Sequence, residues 1–287
     1  ELVPLTHPGP MTGRFNRSIV CPYHAWSYHL DGRLRGTPHL SVDTNGVTLH
    51  TLPLAEWGGF LFVHLDNTTN EPLMTALGDG VDRLSRYPLA DLCGSEVITY
   101  DVAANWKVIL ENYNECYHCG PVHPELCELV PAFKQGGGSE LNWDDGVPHR
   151  AGANTFTVSG TTTRSPFPGL SEGEKTHHKG ELFYPNLMLS LSMDHVAAFT
   201  LLPQNASRTL IHCEFLFHPS ELSKPHFDSS DAVQFWHKVN QQDWAICESV
   251  QRGMQNNVFQ HGYYAPMEDE SLDIRDYVKR KLSALGE

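Results

Sequence analysis

The stretch Asn105-Trp106-Lys107-Val108-Ile109-Leu110-Glu111-Asn112-Tyr113-Asn114-Glu115-Cys116-Tyr117-His118-Cys119-Gly120-Pro121-Val122-His123-Pro124 constrains this chain more than any other. Its first part reads as a helix over about residues 106–119. Val108, Ile109, Asn112, Tyr113 and Cys116 suit one face, while Glu111, Glu115 and His118 recur at i, i+4 and i+7 on another. On an unbroken helix the side chains of His118 and His123 would diverge by about 140° and could not share a small ion. Gly120-Pro121 changes that expectation, because proline disfavours helical geometry at the residue before it. The reading is a helix that ends or bulges at Gly120-Pro121, with His123 turned back beside His118. Two neutral imidazoles leave a divalent iron in need of a carboxylate and open positions. Cys116 and Cys119 form a C-x-x-C on the same turn, which offers thiol–zinc coordination as a rival reading and inert packing as the plain one.

Around this stretch the chain is organised as a β module followed by an α+β domain. Residues 1–66 are punctuated by Gly and Pro, with short β-rich runs at 18–20, 26–30 and 59–65 and a hairpin signal at Asp31-Gly32. Residues 66–72, Asp-Asn-Thr-Thr-Asn-Glu-Pro, read as a linker, which sets the expected domains at 1–70 and 71–287. Strands are expected at 97–102, 187–191, 196–202 and 210–217, and a last helix over about 229–256 with Val233, Trp236, Val239, Trp244, Ile246 and Val250 at helical spacing. Residues 135–180 lack periodicity and read as irregular or edge structure.

With 20 Lys and Arg against 34 Asp and Glu, and no basic run, the chain has no footprint for nucleic acid. No apolar stretch reaches the roughly 18 residues a membrane helix needs. Seven cysteines, three of them within 116–127, do not suggest a disulfide framework, so a reducing cytoplasm is expected. The 17 histidines turn attention to metal chemistry.

A second short motif, Cys21-Pro22-Tyr23-His24-Ala25-Trp26, places a thiolate and an imidazole three residues apart at a tight turn, as zinc or one half of a Rieske cluster would require. Taken in order, the motifs at 21–26 and 105–124 resemble those of the Rieske non-haem iron oxygenases, in their large catalytic (alpha) subunit. The resemblance covers essentially the whole chain. The string Glu111-Asn112-Tyr113-Asn114-Glu115-Cys116-Tyr117-His118 is most similar to the branch acting on quaternary ammonium compounds such as glycine betaine, choline or carnitine.

That resemblance implies part of an antiparallel β Rieske domain followed by a helix-grip (START-like) catalytic domain with an antiparallel sheet and a long C-terminal helix. It implies a mononuclear Fe(2+) held by His118, His123 and Asp243, with Asp231 as the second choice of aspartate, and a [2Fe–2S] cluster touched by Cys21 and His24. Glu115 matches the acidic residue that links a neighbour's cluster to the iron, which implies a homotrimer; one turn before His118, it can also hold that ring. Glu111 is read either as functional or as a partner for Lys107. Electrons from NAD(P)H are expected through a separate flavin/iron-sulfur reductase, with O₂ and an N-methylated ammonium compound as substrates. A quaternary ammonium has no N–H to grip, so aromatic faces must recognise it; Trp143, Phe183, Tyr184, Tyr263 and Tyr264 are the candidates, each of which also reads as a core aromatic.

A complete Rieske cluster also needs an upstream C-x-H pair. None of the 20 residues before Cys21 is Cys, and His7 is the only His among them. The expectation is a chain that starts just after that pair, at Leu2-Val3-Pro4-Leu5, and cannot hold a stable cluster alone. Two other readings stay open: an oxygenase of the same type acting on an aromatic acid or ether, and a non-catalytic helix-grip module that binds an apolar ligand.

Overall fold

The structure is a computed structural model that describes residues 14–284. The chain divides into two compact units. One takes the described residues up to Trp57 together with Leu61–Glu71; the other takes Gly58–Phe60 and the chain from Pro72 onward. Residues 2–5 and His7 lie outside the described residues.

In the first unit, β1 (Ile19–Val20), β2 (Ser27–Tyr28) and β3 (Leu34–Gly36) form an antiparallel sheet in that order, and β4 (Leu54–Trp57) pairs with β5 (Phe60–Val63). The turn from β1 to β2 is closed by the Cys21 N–H donating to the Trp26 carbonyl at 2.8 Å and by the Ala25 N–H donating to the Cys21 carbonyl at 3.1 Å. Asp31-Gly32 makes the turn from β2 to β3, where Gly32 takes φ +88° and the Asp31 carboxylate accepts from the Arg33 N–H at 3.0 Å.

The second unit is built on a six-stranded antiparallel sheet: β6 (Cys93–Val102), β7 (Val147–Pro148), β8 (His177–Phe183), β9 (Leu187–Leu191), β10 (His195–Asn205) and β11 (Arg208–Phe217). The spatial order is β6-β11-β10-β9-β8-β7, so the four long hairpin-linked strands lie side by side and β6 adds at one edge. Every residue of β9 and the first five of β10 are buried, which accounts for runs that are continuously apolar rather than alternating. The helices are α1 (Leu73–Leu77), α2 (Gly80–Arg83), α3 (Trp106–Tyr113), α4 (Cys119–Val122), α5 (Pro124–Leu129), α6 (Pro219–Leu222), α7 (Ser230–Met254) and α8 (Asp269–Ala284).

The long helix α7 buries Val233, Phe235, Trp236, Val239 and Trp244, side chains worth about 1.5–3 kcal/mol each on burial. Its buried stripe continues through Cys247 and Gln251 rather than Ile246 and Val250, which stay exposed. Polar residues along α7 fix the start of α3: the Ala103 N–H donates to Glu248 at 3.0 Å and the Asn105 N–H to Gln251 at 2.8 Å. The Asn105 side chain in turn caps α3 by accepting from the Lys107 N–H.

Three expectations are corrected. The helix expected over 106–119 ends at Tyr113 and a new one starts at Cys119, so the break precedes Gly120-Pro121. Pro121 sits inside α4, within the first turn, where a missing N–H costs no intrahelical bond. The segment expected to be irregular or edge structure does supply the edge strand β7 but also contributes β8 from His177, inside the sheet, and α8 follows α7 where no second helix was expected.

Candidate metal centre and cavity

His118 is the N-cap of α4; His123 ends α4 and opens α5, with φ −121° and ψ 70°. This four-residue helix therefore separates the two histidines and turns both side chains to one side. Asp243 reaches the same point from the middle of α7. The His118 Nε2 and His123 Nε2 atoms are 3.2 Å apart, and the Asp243 Oδ1 lies 3.3 Å from the first and 2.9 Å from the second. An octahedral ion with bonds of about 2.1 Å has ligand–ligand edges of about 3.0 Å, so these three atoms fit one face of its coordination shell. Two imidazoles and one carboxylate are also the donor set that suits non-haem ferrous iron. Among the described residues, no other group of three His, Cys, Asp or Glu side chains converges in this way.

The hydrogen bonds behind the rings fix their tautomers. Glu115 accepts from the His118 ring with one oxygen, Nδ1 to Oε1 2.5 Å, and from the His118 backbone N–H with the other at 3.1 Å. His123 Nδ1 donates to the Gln242 Oε1 at 2.8 Å. Both Nε2 atoms face Asp243, where each would offer its lone pair once a metal ion replaced the proton shared with that carboxylate. Burial opposes charge on His118, but its hydrogen bonds to Asp243 and Glu115 outweigh burial and push its pKa up to about 11. Burial likewise opposes the Asp243 carboxylate, and the two imidazoles hold its pKa below the usual value nonetheless. The site thus favours a cation at its centre.

The three side chains line a cavity of about 720 Å³. Trp143 and Tyr184 line it, as expected, but Phe183 is core, Tyr263 is exposed and paired with His261, and Tyr264 donates to Glu111 at 3.0 Å. Phe133, Phe199 and Trp236 add to the aromatic lining, with Tyr113 and Trp244; none of the three stands out in a motif, and they arrive from separate elements spread over about a hundred residues. Trp143 stacks on Phe133 with ring centroids 6.2 Å apart. Tyr113 anchors α3 to the sheet through its hydroxyl, which donates to the Leu189 carbonyl at 2.7 Å.

The charged lining is one-sided. Asp79, Asp144, Glu181, Glu270 and Asp273 contribute carboxylates, and Arg83 is the only Lys or Arg among the described lining residues. Arg83 is already engaged, donating to both Glu181 oxygens at 2.9 and 2.8 Å with Asp144 3.6 Å away. For Glu270, burial together with Asp273 and Glu181 outweighs the pull of Arg83 and raises its pKa.

The remaining expected residues lie elsewhere. Asp231 pairs with Arg164 at 2.8 Å near the start of α7. Cys116 and Cys119 are buried in the cavity wall, and the adjacent Cys116 thiol together with burial raises the Cys119 thiol. Glu111 accepts from Tyr264 instead of pairing with Lys107. Cys21 and His24 lie on the loop from β1 to β2, with the rings of His24 and Tyr23 in edge contact. A Rieske cluster needs four donors, and the C-x-x-H here offers two of them, so the residues present do not complete one.

Against known families, residues 89–284 match the model of the ring hydroxylating alpha subunit (catalytic domain). The chain belongs to that family. Residues 2–53 of this ring-hydroxylating alpha chain also match the Rieske [2Fe-2S] domain. It is 29% identical over 255 residues to the carnitine monooxygenase oxygenase subunit of Acinetobacter baumannii, a match covering 85% of this chain and 65% of that protein's length. It is also 29% identical to the glycine betaine monooxygenase oxygenase subunit of Pseudomonas aeruginosa, over 94% of this chain and 71% of the relative. Among solved structures, its fold is similar to that of the quaternary ammonium Rieske monooxygenase CntA, with a TM-score of 0.68 at 24% identity, over 93% of this chain and 72% of that one. The ring-hydroxylating alpha fold is therefore the mixed helix and antiparallel sheet arrangement described above. No helix among the described residues is long and apolar enough to cross a membrane.

Proposed function

We propose that this chain is the oxygenase component of a monooxygenase that hydroxylates an N-methyl group of a quaternary ammonium compound such as glycine betaine. The observation that carries the reading is the cavity: its lining holds His118, His123 and Asp243, several aromatic side chains, and five carboxylates beside one already paired arginine. The carnitine and glycine betaine relatives support the same substrate class. The acidic lining favours a substrate that carries a positive charge, which an ammonium compound has and an aromatic acid lacks.

A ferrous ion bound by the triad supplies one-electron chemistry toward O₂. The chain's own residues supply the rest. Glu115 and Gln242 keep the proton on each Nδ1, so that both Nε2 lone pairs stay available. Trp143, Phe133 and Trp236 offer faces to a methylated ammonium, which carries a diffuse positive charge and no donor. The apolar wall of Phe199, Leu126 and Met188 sheds water from the reacting end.

In balance, one oxygen atom enters a C–H bond of the methyl group. The other leaves as water with two electrons and two protons delivered by a separate NAD(P)H reductase. The resulting N-hydroxymethyl ammonium loses formaldehyde and a proton, leaving a tertiary amine. Electron entry through a cluster on a neighbouring subunit, past Glu115, belongs to the same proposal, as does assembly as a homotrimer.

The test supplies iron-loaded protein with a reductase and measures O₂ consumption and formaldehyde with glycine betaine, carnitine, choline and an aromatic carboxylate. Formaldehyde released in step with O₂ from an ammonium compound is expected. Turnover of the aromatic acid alone would overturn the reading.

A further inference from the structure

His123 meets a neutral amide where His118 meets a carboxylate, and an amide has a weakness that a carboxylate lacks. The two ends of the Gln242 side chain are nearly the same size, and only one orientation presents oxygen to His123. Rotated by half a turn, it would point N–H at Nδ1. The imidazole would then move its proton to Nε2, and that nitrogen would cease to be a donor toward a cation.

We infer that Glu125 is a positioning residue that locks the Gln242 amide, and through it the tautomer of His123. The Gln242 Nε2 donates to the Glu125 Oε2 at 3.1 Å while its Oε1 accepts from His123 Nδ1 at 2.8 Å. An ionised carboxylate accepts and cannot donate, so the amide nitrogen must face Glu125 and its oxygen must face His123. The second Glu125 oxygen is paired with Lys238, one turn before Gln242 on the same face of α7. Glu125 sits in the first turn of α5, which His123 opens. The chain of contacts therefore runs from an exposed lysine, through a carboxylate and an amide, to a histidine that is 1% exposed.

The inference rests on the reading of His123 as a metal ligand, and the test separates the two. In metal-free protein carrying Asp243→Ala, which removes the carboxylate 2.9 Å from His123 Nε2, nitrogen-15 NMR reports which ring nitrogen of His123 carries the proton; with Asp243 in place, titration with Co(II) reports the affinity of the triad. With Glu125 and Gln242 unchanged, the proton should sit on Nδ1. In Glu125→Gln, two amides face each other and either orientation is satisfied. The His123 signals should move toward a tautomer mixture and Co(II) affinity should fall about tenfold. The exchanged pair Glu125→Gln with Gln242→Glu restores one polarity throughout. His123 then donates to a carboxylate on α7, the amide now on α5 donates its N–H to that same carboxylate, and the amide oxygen accepts from Lys238. It should recover both readouts, which a merely structural contact would not do.

With Asp243 removed and Glu125 and Gln242 unchanged, a proton on Nε2 would overturn the lock, as would Glu125→Gln leaving tautomer and affinity unchanged, or an exchanged pair no better than the single variant. A proton on Nδ1 in that background, with no Co(II) binding when Asp243 is present, would uphold the lock and overturn the metal reading.

Discussion

Replacing Asp194 by Asn tests how the wall behind the cavity is held. Asp194 is completely buried. It accepts from the Thr155 hydroxyl, from Arg164 Nε at 2.7 Å and from His195 Nδ1 at 3.0 Å. His195 passes the order on, because its Nε2 accepts from Trp236 Nε1 at 3.3 Å and Trp236 lines the cavity. Asparagine keeps the shape but removes the charge, which leaves the Arg164 guanidinium, 7% exposed, without its buried counter-ion. Breaking such a pair from one side costs about 3–5 kcal/mol. Arg164 retains Asp231 and the Asp228 carbonyl, which places the expected loss at the low end, about 3 kcal/mol. That is a large part of the roughly 5–15 kcal/mol that holds an ordinary domain together. Urea unfolding of the metal-free protein, followed by tryptophan fluorescence, measures it. Removing the arginine as well, as Arg164→Met with Asp194→Asn, should cost clearly less than the sum of the two single changes. A single-variant loss under about 1 kcal/mol, or strict additivity, would refute the argument that the ion pair holds this wall.

Two further outcomes follow from groups already described. His149 is buried, and burial, only partly offset by its hydrogen bond to the Thr176 carbonyl, lowers its pKa to about 4; burial also drives His178 well below its ordinary value. Both are favoured neutral in the folded chain, so the unfolded chain binds more protons as pH falls below about 6.5. Stability should be full above that pH and decline toward pH 4, by up to about 3 kcal/mol from His149 alone, and a urea midpoint that rises on acidification would contradict it. In the cavity, Glu181→Gln releases the Arg83 guanidinium. It should shift kcat/KM toward carboxylate-bearing ammonium compounds relative to choline by roughly fivefold, about 1 kcal/mol, and an unchanged ratio in paired assays would show that Arg83 does not face the substrate.

Much of the sheet is legible in the sequence because burial writes its pattern there: β9 and the first half of β10 are almost wholly apolar, and β11 alternates as its burial does. β8 is not legible in this way. Its His178 and Lys179 are polar yet buried, Lys179 because Glu174 reaches it at 3.2 Å across five residues. A partner of that kind is invisible to periodicity. α8 hides for the opposite reason, since apart from Ile274 and Ser271 its described side chains are exposed or only half-buried. The convergence of His118 and His123 could be foreseen from their spacing, though not the place of the break, because a proline within a first turn does not interrupt a helix. The aromatic faces were harder to foresee. Phe133, Phe199 and Trp236 meet only because a loop, a strand and a helix cross, and no local pattern separates them from ordinary core.

The four residues of α4 act as a ruler. An α-helix advances about 1.5 Å and turns about 100° with each residue, so one added or deleted residue would swing His123 through more than a quarter of a circle. Adding four nearly restores the direction, but carries the ring about 6 Å along the axis. Direction and distance cannot both be recovered by any small change in length. Substitutions are therefore the only local changes this segment can accommodate, and an insertion or deletion here should be the most damaging per residue in the chain.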